Sequence, residues 1–424
     1  MLGKVLQVFK IKDIRNKILF VLGLLVIFRV AASIPIPGID PERLKAFFQD
    51  NQFFGLLNIF SGGALSNMSI VMLGIGPYIT ALIIMQLFTV IFPKLKELYQ
   101  GSGEAGRQKF NQYTRLLTLP LAFLQGYGLL ALLQNQGVID KLNFFDLITN
   151  LIVVTAGTIF LMWMGELITE KQIGNGISIL IFAGIIAGIP TTIKQLYANF
   201  DPSLIPTFIV FIIASILVIA GVVYMNESHR NIPVSYAKRV RGVKMYGGTS
   251  TYLPLKVNQA GVIPIIFAIS ILLFPEMIAN IAKLSDVNWL RSASEWFLGF
   301  FNQGSWLYSF LYFTFVVLFT YFYTAITFDP KQISENIQKQ GGFIPGIRPG
   351  KHTMEFLYKV MNRITFFGAV SLGLIAVLPY IFRYFTGIAT LTIGGTALLI
   401  AVSVVIDVIK QVQAQLVMHE YEKY

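Results

Sequence analysis

The chain contains no cysteine among its 424 residues. That excludes disulfides, thiolate metal sites and cysteine nucleophiles. Charge is also scarce. Asp, Glu, Lys and Arg make up 13% of the sequence, against about 25% in a soluble domain. Histidine is limited to His229, His352 and His419, all outside the apolar runs, so no intramembrane metal site is expected. A P-loop, a His-Glu-x-x-His helix, a Gly-x-Ser-x-Gly elbow and a Gly-x-Gly-x-x-Gly turn before a helix are all missing. Each of those motifs carries a specific chemistry, so the expectation is a protein that is not an enzyme and takes no cofactor.

What is present is apolar. Hydrophobic residues reach 55% and the mean hydropathy is +0.68. The pattern predicts an all-α polytopic membrane protein. Ten apolar windows predict ten spans, at about 18–34, 75–92, 116–133, 147–168, 177–189, 205–225, 257–281, 306–328, 364–384 and 391–412. The fifth is short and carries Gly184 and Gly188, which points to an interior position. The basic N-terminus followed by an apolar run and Ala31-Ala32-Ser33 resembles a signal peptide. Arg29 interrupts that run and further spans follow, so an uncleaved first span is expected.

The stretch from Leu56 to Phe92 is apolar yet broken, first at Gly62-Gly63 and again at Gly74, Gly76 and Pro77. Glycine costs about 1 kcal/mol and proline about 3 kcal/mol in a helix interior. The piece over 56–69 is shorter than the roughly 20 residues of a bilayer crossing. A re-entrant segment followed by a spanning helix is the reading. Irregular backbone at membrane depth persists only where protein buries it or where it lines a water-filled cavity, which points to a channel or a transporter.

Basic residues orient the chain. With the N-terminus in the cytoplasm, 24 of the 33 Lys and Arg residues fall on that side and seven on the other, with Arg29 and Lys410 inside spans. Such asymmetry is the positive-inside signal and puts both termini in the cytoplasm. Two cytoplasmic loops stand out, 226–256 with Arg239, Arg241 and Lys244, and 329–363 with Arg348. Topology anchoring explains charge of this kind; docking on an acidic surface such as ribosomal RNA explains the loops' length as well. Only Arg29 and Asp407 lie well inside spans. Intramembrane ionisable groups mark ion and proton paths, so this charge-poor interior fits a passive path better than ion coupling. A secondary transporter for a small solute is the alternative.

Several ordered segments are similar to those of the SecY/Sec61-alpha family of protein-conducting channels. They are Phe28-Arg29 with 34–40 (IPIPGID); 58–66 (NIFSGGALS); 73–79 (LGIGPYI); 168–170 (ITE) with 173–178 (IGNGIS); 253–258 (LPLKVN) with 260–264 (AGVIP); 345–350 (PGIRPG); and 394–400 (GGTALLI). The resemblance implies two inverted five-helix halves, 1–190 and 191–424, around an hourglass pore. A plug helix at about 56–69 would include Phe60, Ser61, Gly62, Gly63, Ala64 and Leu65. An apolar pore ring would comprise Ile75, Ile79, Ile177, Ile181, Ile266 and Ile400. The spacing of Ile75/Ile79 and of Ile177/Ile181 puts each pair on one helix face.

The same resemblance implies a lateral gate between spans 2 and 7, with Thr80, Gln86 and Asn258 as its polar residues. It places the chain in the bacterial plasma (inner) membrane. The implied partners are SecE-like and SecG-like small subunits, the SecA motor ATPase, the ribosome with its RNA, signal sequences and nascent polypeptides, and membrane lipid. Partner docking is carried over to Arg239, Arg241, Lys244 and Arg348.

Overall fold

Apolar runs fold as helices here because each helix satisfies its own backbone. The computed structural model describes residues 10–36, 58, 61–101, 103–135, 137, 139–140, 142–198, 205–236, 239–241, 244–246, 250–282, 287–300, 305–386 and 389–422. Helix α1 is Lys12–Ser33, α2 Gly76–Ile91, α3 Gly103–Asn135, α4 Phe144–Glu170, α5 Gly176–Ala198 and α6 Ile205–Glu227. They are followed by α7 Ile263–Ala282, α8 Asn288–Phe300, α9 Trp306–Thr327, α10 Pro330–Lys339, α11 Lys351–Thr386 and α12 Ala389–Glu422.

Ten of these helices coincide with the ten apolar windows. Six are long and apolar enough to cross a membrane unaided: α1, α3, α4, α9, α11 and α12. The α2 helix and the short helical segment Pro93–Tyr99 that follows form a pair bent by 114°, which would make a seventh. Shorter apolar stretches lie in α5 (Gly176–Pro190), α6 (Ile212–Glu227) and α7 (Ile263–Leu272). Pro190 and Pro275 stand inside α5 and α7.

Contacts between α1–α5 and the later helices concentrate in two places. On one side α7 packs against α2 and α3; on the other α12 packs against α1 and α5. The second contact is reinforced. Ile14 of α1 is buried with Leu416 of α12. Gln415 Nε2 donates to the Gln172 carbonyl at 2.8 Å, in the turn between α4 and α5.

Five short strands accompany the helices among the described residues. Strand β1 (His229–Tyr236) pairs antiparallel with β4 (Ser250–Lys256) and with β5 (Gly342–Phe343), while β2 (Arg239–Arg241) pairs with β3 (Lys244–Tyr246). The physical cause is alternation: Ile232 and Val234 point into a small core while Asn231 and Pro233 face out. Pro233 is tolerated in the middle strand because β5 pairs only with Ser235 and Tyr236, leaving Pro233 without a ladder bond to supply on that side. Leu255, Ile337, Ile344, Leu357 and Met361 complete this core, which fixes both long loops to the start of α11.

Candidate functional site: a buried segment in an apolar interior

Residues 61–75 run as turns with a bridge at Ser69; of the earlier part of the expected plug, 56–60, only Asn58 is among the described residues. The cause is backbone geometry. Gly62, Gly63, Met68 and Gly74 have φ of 72°, 81°, 42° and 58°, the left-handed region that a right-handed helix cannot include. Burial is nonetheless deep, with Ala64 and Ser69 at 0% exposure and Leu65 and Met68 at 1%.

A buried turn has to find partners for its amides and carbonyls. Side chains supply many. Asn58 Oδ1 accepts from the Ser66 amide at 2.8 Å, Ser61 Oγ accepts from the Leu65 amide at 3.1 Å, and Ser66 Oγ donates to the Gly63 carbonyl at 2.9 Å. Both strands of a short bridge tie the segment to the end of α1: the Ile36 amide donates to the Met68 carbonyl at 2.8 Å and the Ile70 amide to the Ile34 carbonyl at 3.0 Å. Arg29 Nη1, from within α1, donates to the Gly62 carbonyl. An isolated intramembrane charge is costly without a partner, and this carbonyl is its partner.

Packing is equally close. A Cβ on Gly62 would stand 2.7 Å from the Phe28 ring and 3.0 Å from the Gly184 Cα of α5. A Cβ on Gly157 of α4 would stand 2.0 Å from the Ile70 carbonyl oxygen. Glycine at these positions lets helices touch the segment's backbone directly.

The segment's Ala64, Leu65, Met68, Val71 and Met72 belong to one apolar cluster with Ile75, Ile79, Ile181, Ile266 and Ile400, and Ile177 packs against it. All six isoleucines singled out in the sequence thus belong to, or pack on, this cluster, which runs through the whole bundle. Of the plug residues, Phe60 lies outside the described residues.

The gate residues are not brought together by hydrogen bonds. Thr80 Oγ1 donates to the Gly76 carbonyl at 3.1 Å and accepts from Gln125 Nε2 of α3 at 3.4 Å. Gln86 is 4% exposed and its Oε1 has no protein partner among the described residues. Asn258 turns to its own side of the molecule, its Nδ2 donating to Asn226 Oδ1 at 2.8 Å and to the Gly261 carbonyl at 3.2 Å. Asn226 Nδ2 in turn donates to Ser403 Oγ at 3.4 Å, and Lys410 Nζ donates to the Asn226 carbonyl at 2.7 Å while pairing with Glu227 at 3.0 Å. This network joins α6, α12 and the approach to α7. Separate polar residues along the sequence gave no signal of it.

Among the docking residues, Arg348 is exposed at a defined turn. Gly346 and Gly350 take φ of 81° and 91°, the Arg348 carbonyl accepts from Thr353 Oγ1 at 3.0 Å, and the Gly350 carbonyl accepts from Ser334 Oγ at 2.9 Å. Ile344 and Ile347 anchor the turn in the small core. Arg239, Arg241 and Lys244 lie on the β2–β3 ribbon, Arg241 opposite Lys244; their side chains lie outside the described residues.

An irregular segment buried inside an apolar helical bundle is the setting of a channel-like membrane protein. The chain belongs to the SecY family: the SecY family model matches residues 69–409. A relative from Corynebacterium glutamicum, "Protein translocase subunit SecY", is 45% identical over 444 residues, covering 99% of each chain. The fold is similar to a solved structure described as "The structure of a protein conducting channel", with 20% identity, TM-score 0.63, and coverage of 93% of this chain and 90% of that one. It is also similar to Sec61 in a canine ribosome–channel complex from the endoplasmic reticulum, at 19% identity, TM-score 0.59, and coverage of 93% and 90%.

Replacing Arg29 with Met removes the donor to Gly62 while keeping the apolar stem. A hydrogen bond to a charged group contributes about 1.5–3 kcal/mol, so amide exchange over 61–69 should rise by about tenfold or more. Exchange in 229–236 should not change. Hydrogen-exchange mass spectrometry checks both regions in one sample.

Proposed function

We infer that this chain is the channel subunit of a protein translocase, passing unfolded polypeptides across a membrane and releasing apolar segments sideways into lipid. The observation that carries the reading is the segment 61–75, sealed into the same apolar interior as the six isoleucines. In this reading the segment is a removable plug. The isoleucines form the constriction, and an apolar constriction excludes ions by dewetting. Isoleucine offers a passing chain contact without hydrogen bonds, so it seals without selecting.

The two sites of contact between the early and late helices support a division into 1–190 and 191–424. The α7 contact with α2 and α3 is the gate that opens; the α12 contact with α1 and α5, tied by Gln415 and Leu416, is the hinge. Ten spans follow when α2, α5, α6 and α7 are counted as crossings beside a protein-lined interior. The basic bias places both termini in the cytoplasm, and the plasma membrane of a bacterium is the location this orientation fits. SecE-like and SecG-like subunits would clamp the bundle. The motor SecA or the ribosome would dock on the 226–256 and 329–363 loops and supply the driving force. The anchored turn around Arg348, with its guanidinium outward, is suited to two parallel bonds with a carboxylate or phosphate.

Two outcomes test this. Ile79→Asn with Ile181→Asn puts amide dipoles in the constriction, so resting ion conductance in planar bilayers should rise; a correctly folded double variant as tight as the parent rejects the ring. Arg348→Glu should leave the channel folded and ion-tight yet lose most SecA-driven import of a preprotein into vesicles, and Arg348→Lys should recover only part of it. Near-normal import by Arg348→Glu rejects the docking role; topology anchoring predicts that result, because five other basic residues remain in 329–363.

A further inference from the structure

The Asn288–Phe300 helix, α8, is used by none of the steps above. It lies between α7 and α9, at the ends of both helices remote from the sheet. Its sequence, NWLRSASEWFLGF, divides into three sectors at about 100° per residue. Leu290, Ser294, Phe297 and Leu298 form one sector. They are its buried or half-buried residues, and α8 packs on α7. Arg291 and Glu295 form a second, paired at 3.5 Å and both exposed. Trp289, Ala293 and Trp296 form the third; the two indoles are seven positions apart and are 71% and 68% exposed.

Two indoles facing outward in water would be a liability on a globular surface. The sectors explain them. The protein sector fixes the rotation of the helix. The charged sector lies on the far side of the wheel from the indoles, roughly half a turn away. A helix held this way at the edge of a membrane-spanning bundle meets protein, water and lipid with three different faces. Indole is the side chain most suited to the lipid–water boundary, with an apolar body and one N–H donor. Exposed apolar side chains also flank α8 in the chain: Ile278 near the end of α7 is 47% exposed, and Trp306 at the start of α9 is 76% exposed. The paired charges make the helix close to neutral, so it would seat by aromatic area and not by attraction to anionic headgroups.

We propose that α8 is an interfacial anchor: Trp289 and Trp296 insert into the lipid–water boundary on the side of the membrane opposite the sheet and hold the outer end of α7 there. The proposal rests on the membrane-spanning reading of the bundle. It gives α7, the helix that contacts α2 and α3, a lipid-bound end against which it can pivot.

Because the chain has no cysteine, single substitutions can be spin-labelled in the intact protein in liposomes. Ala293→Cys reports the indole sector and Arg291→Cys the charged one; Leu22→Cys, on α1 where Leu22 is 52% exposed, reports the bundle's lipid face. Oxygen, which partitions into lipid, and a water-soluble nickel chelate are the two relaxing agents. Ala293→Cys should favour oxygen over nickel by about threefold or more relative to Arg291→Cys, as a label on the lipid side of the boundary does. Equal accessibility at the two positions, or nickel preference at 293, overturns the anchor. A nickel preference at Leu22→Cys would instead overturn the membrane-spanning reading, so the two failures are distinct.

Discussion

A backbone that leaves helical geometry inside an apolar bundle has to carry its own hydrogen-bond partners. The rest of this structure depends on how residues 61–75 meet that demand. Their partners are close in sequence, Asn58, Ser61 and Ser66, or sit on the adjoining end of α1, in the bridge to Ile34–Ile36 and in Arg29. The segment is thus satisfied as a unit with α1. It contacts α4 and α5 through glycines that expose backbone, at Gly157 and Gly184, by shape and not by bonding. The contacts with α4 and α5 can part without stranding polar groups there, while the bonds that hold the segment in place lie on α1, at Arg29 and in the Ile34–Ile36 bridge.

The same separation of roles appears between the early and late helices. The α12 side carries a hydrogen bond into the α4–α5 turn and buried contacts with α1. Of the residues expected at the gate, Thr80 pairs with Gln125 of α3, and Asn258 with Asn226 and Gly261. Interhelical hydrogen bonds in membranes average about 0.6 kcal/mol, so their placement biases a joint without locking it. Parting α7 from α2 and α3 would break none of these bonds, and that is the asymmetry a hinged channel needs. Outside the bundle, β1, β4, α10 and the Ile344 turn share one small core with the start of α11.

Much of this was legible in the residues. Apolar windows marked ten helices because helix formation in lipid is dictated by hydropathy alone. Gly62-Gly63 and Gly74 marked the break because positive φ is their use. The turn at Arg348 was legible from Gly346, Pro349 and Gly350. The strands were not, because Pro233, Pro254 and dense charge in 226–256 read as loop, while the alternation of Ile232 and Val234 is only two residues long. Two partnerships were also hidden. Arg29 stood out as a charge within a span, but its acceptor is a backbone carbonyl 33 positions away, and carbonyls leave no trace in composition. The amide of Asn258 is taken up by Asn226, which precedes it by 32 positions, a pairing that sequence spacing does not reveal.

The central claim is that the channel opens along the α7 contact with α2 and α3 while the α12 side stays closed. Paired spin labels in a chain without native cysteine measure it directly. One pair, Phe88→Cys with Ile278→Cys, reports α2 against α7; the other, Leu19→Cys with Ile409→Cys, reports α1 against α12. All four positions are exposed, so labels perturb little. With a preprotein arrested in the channel, the first distance should lengthen and the second should hold. A first distance that does not change, or a second that lengthens in its place, would contradict the account.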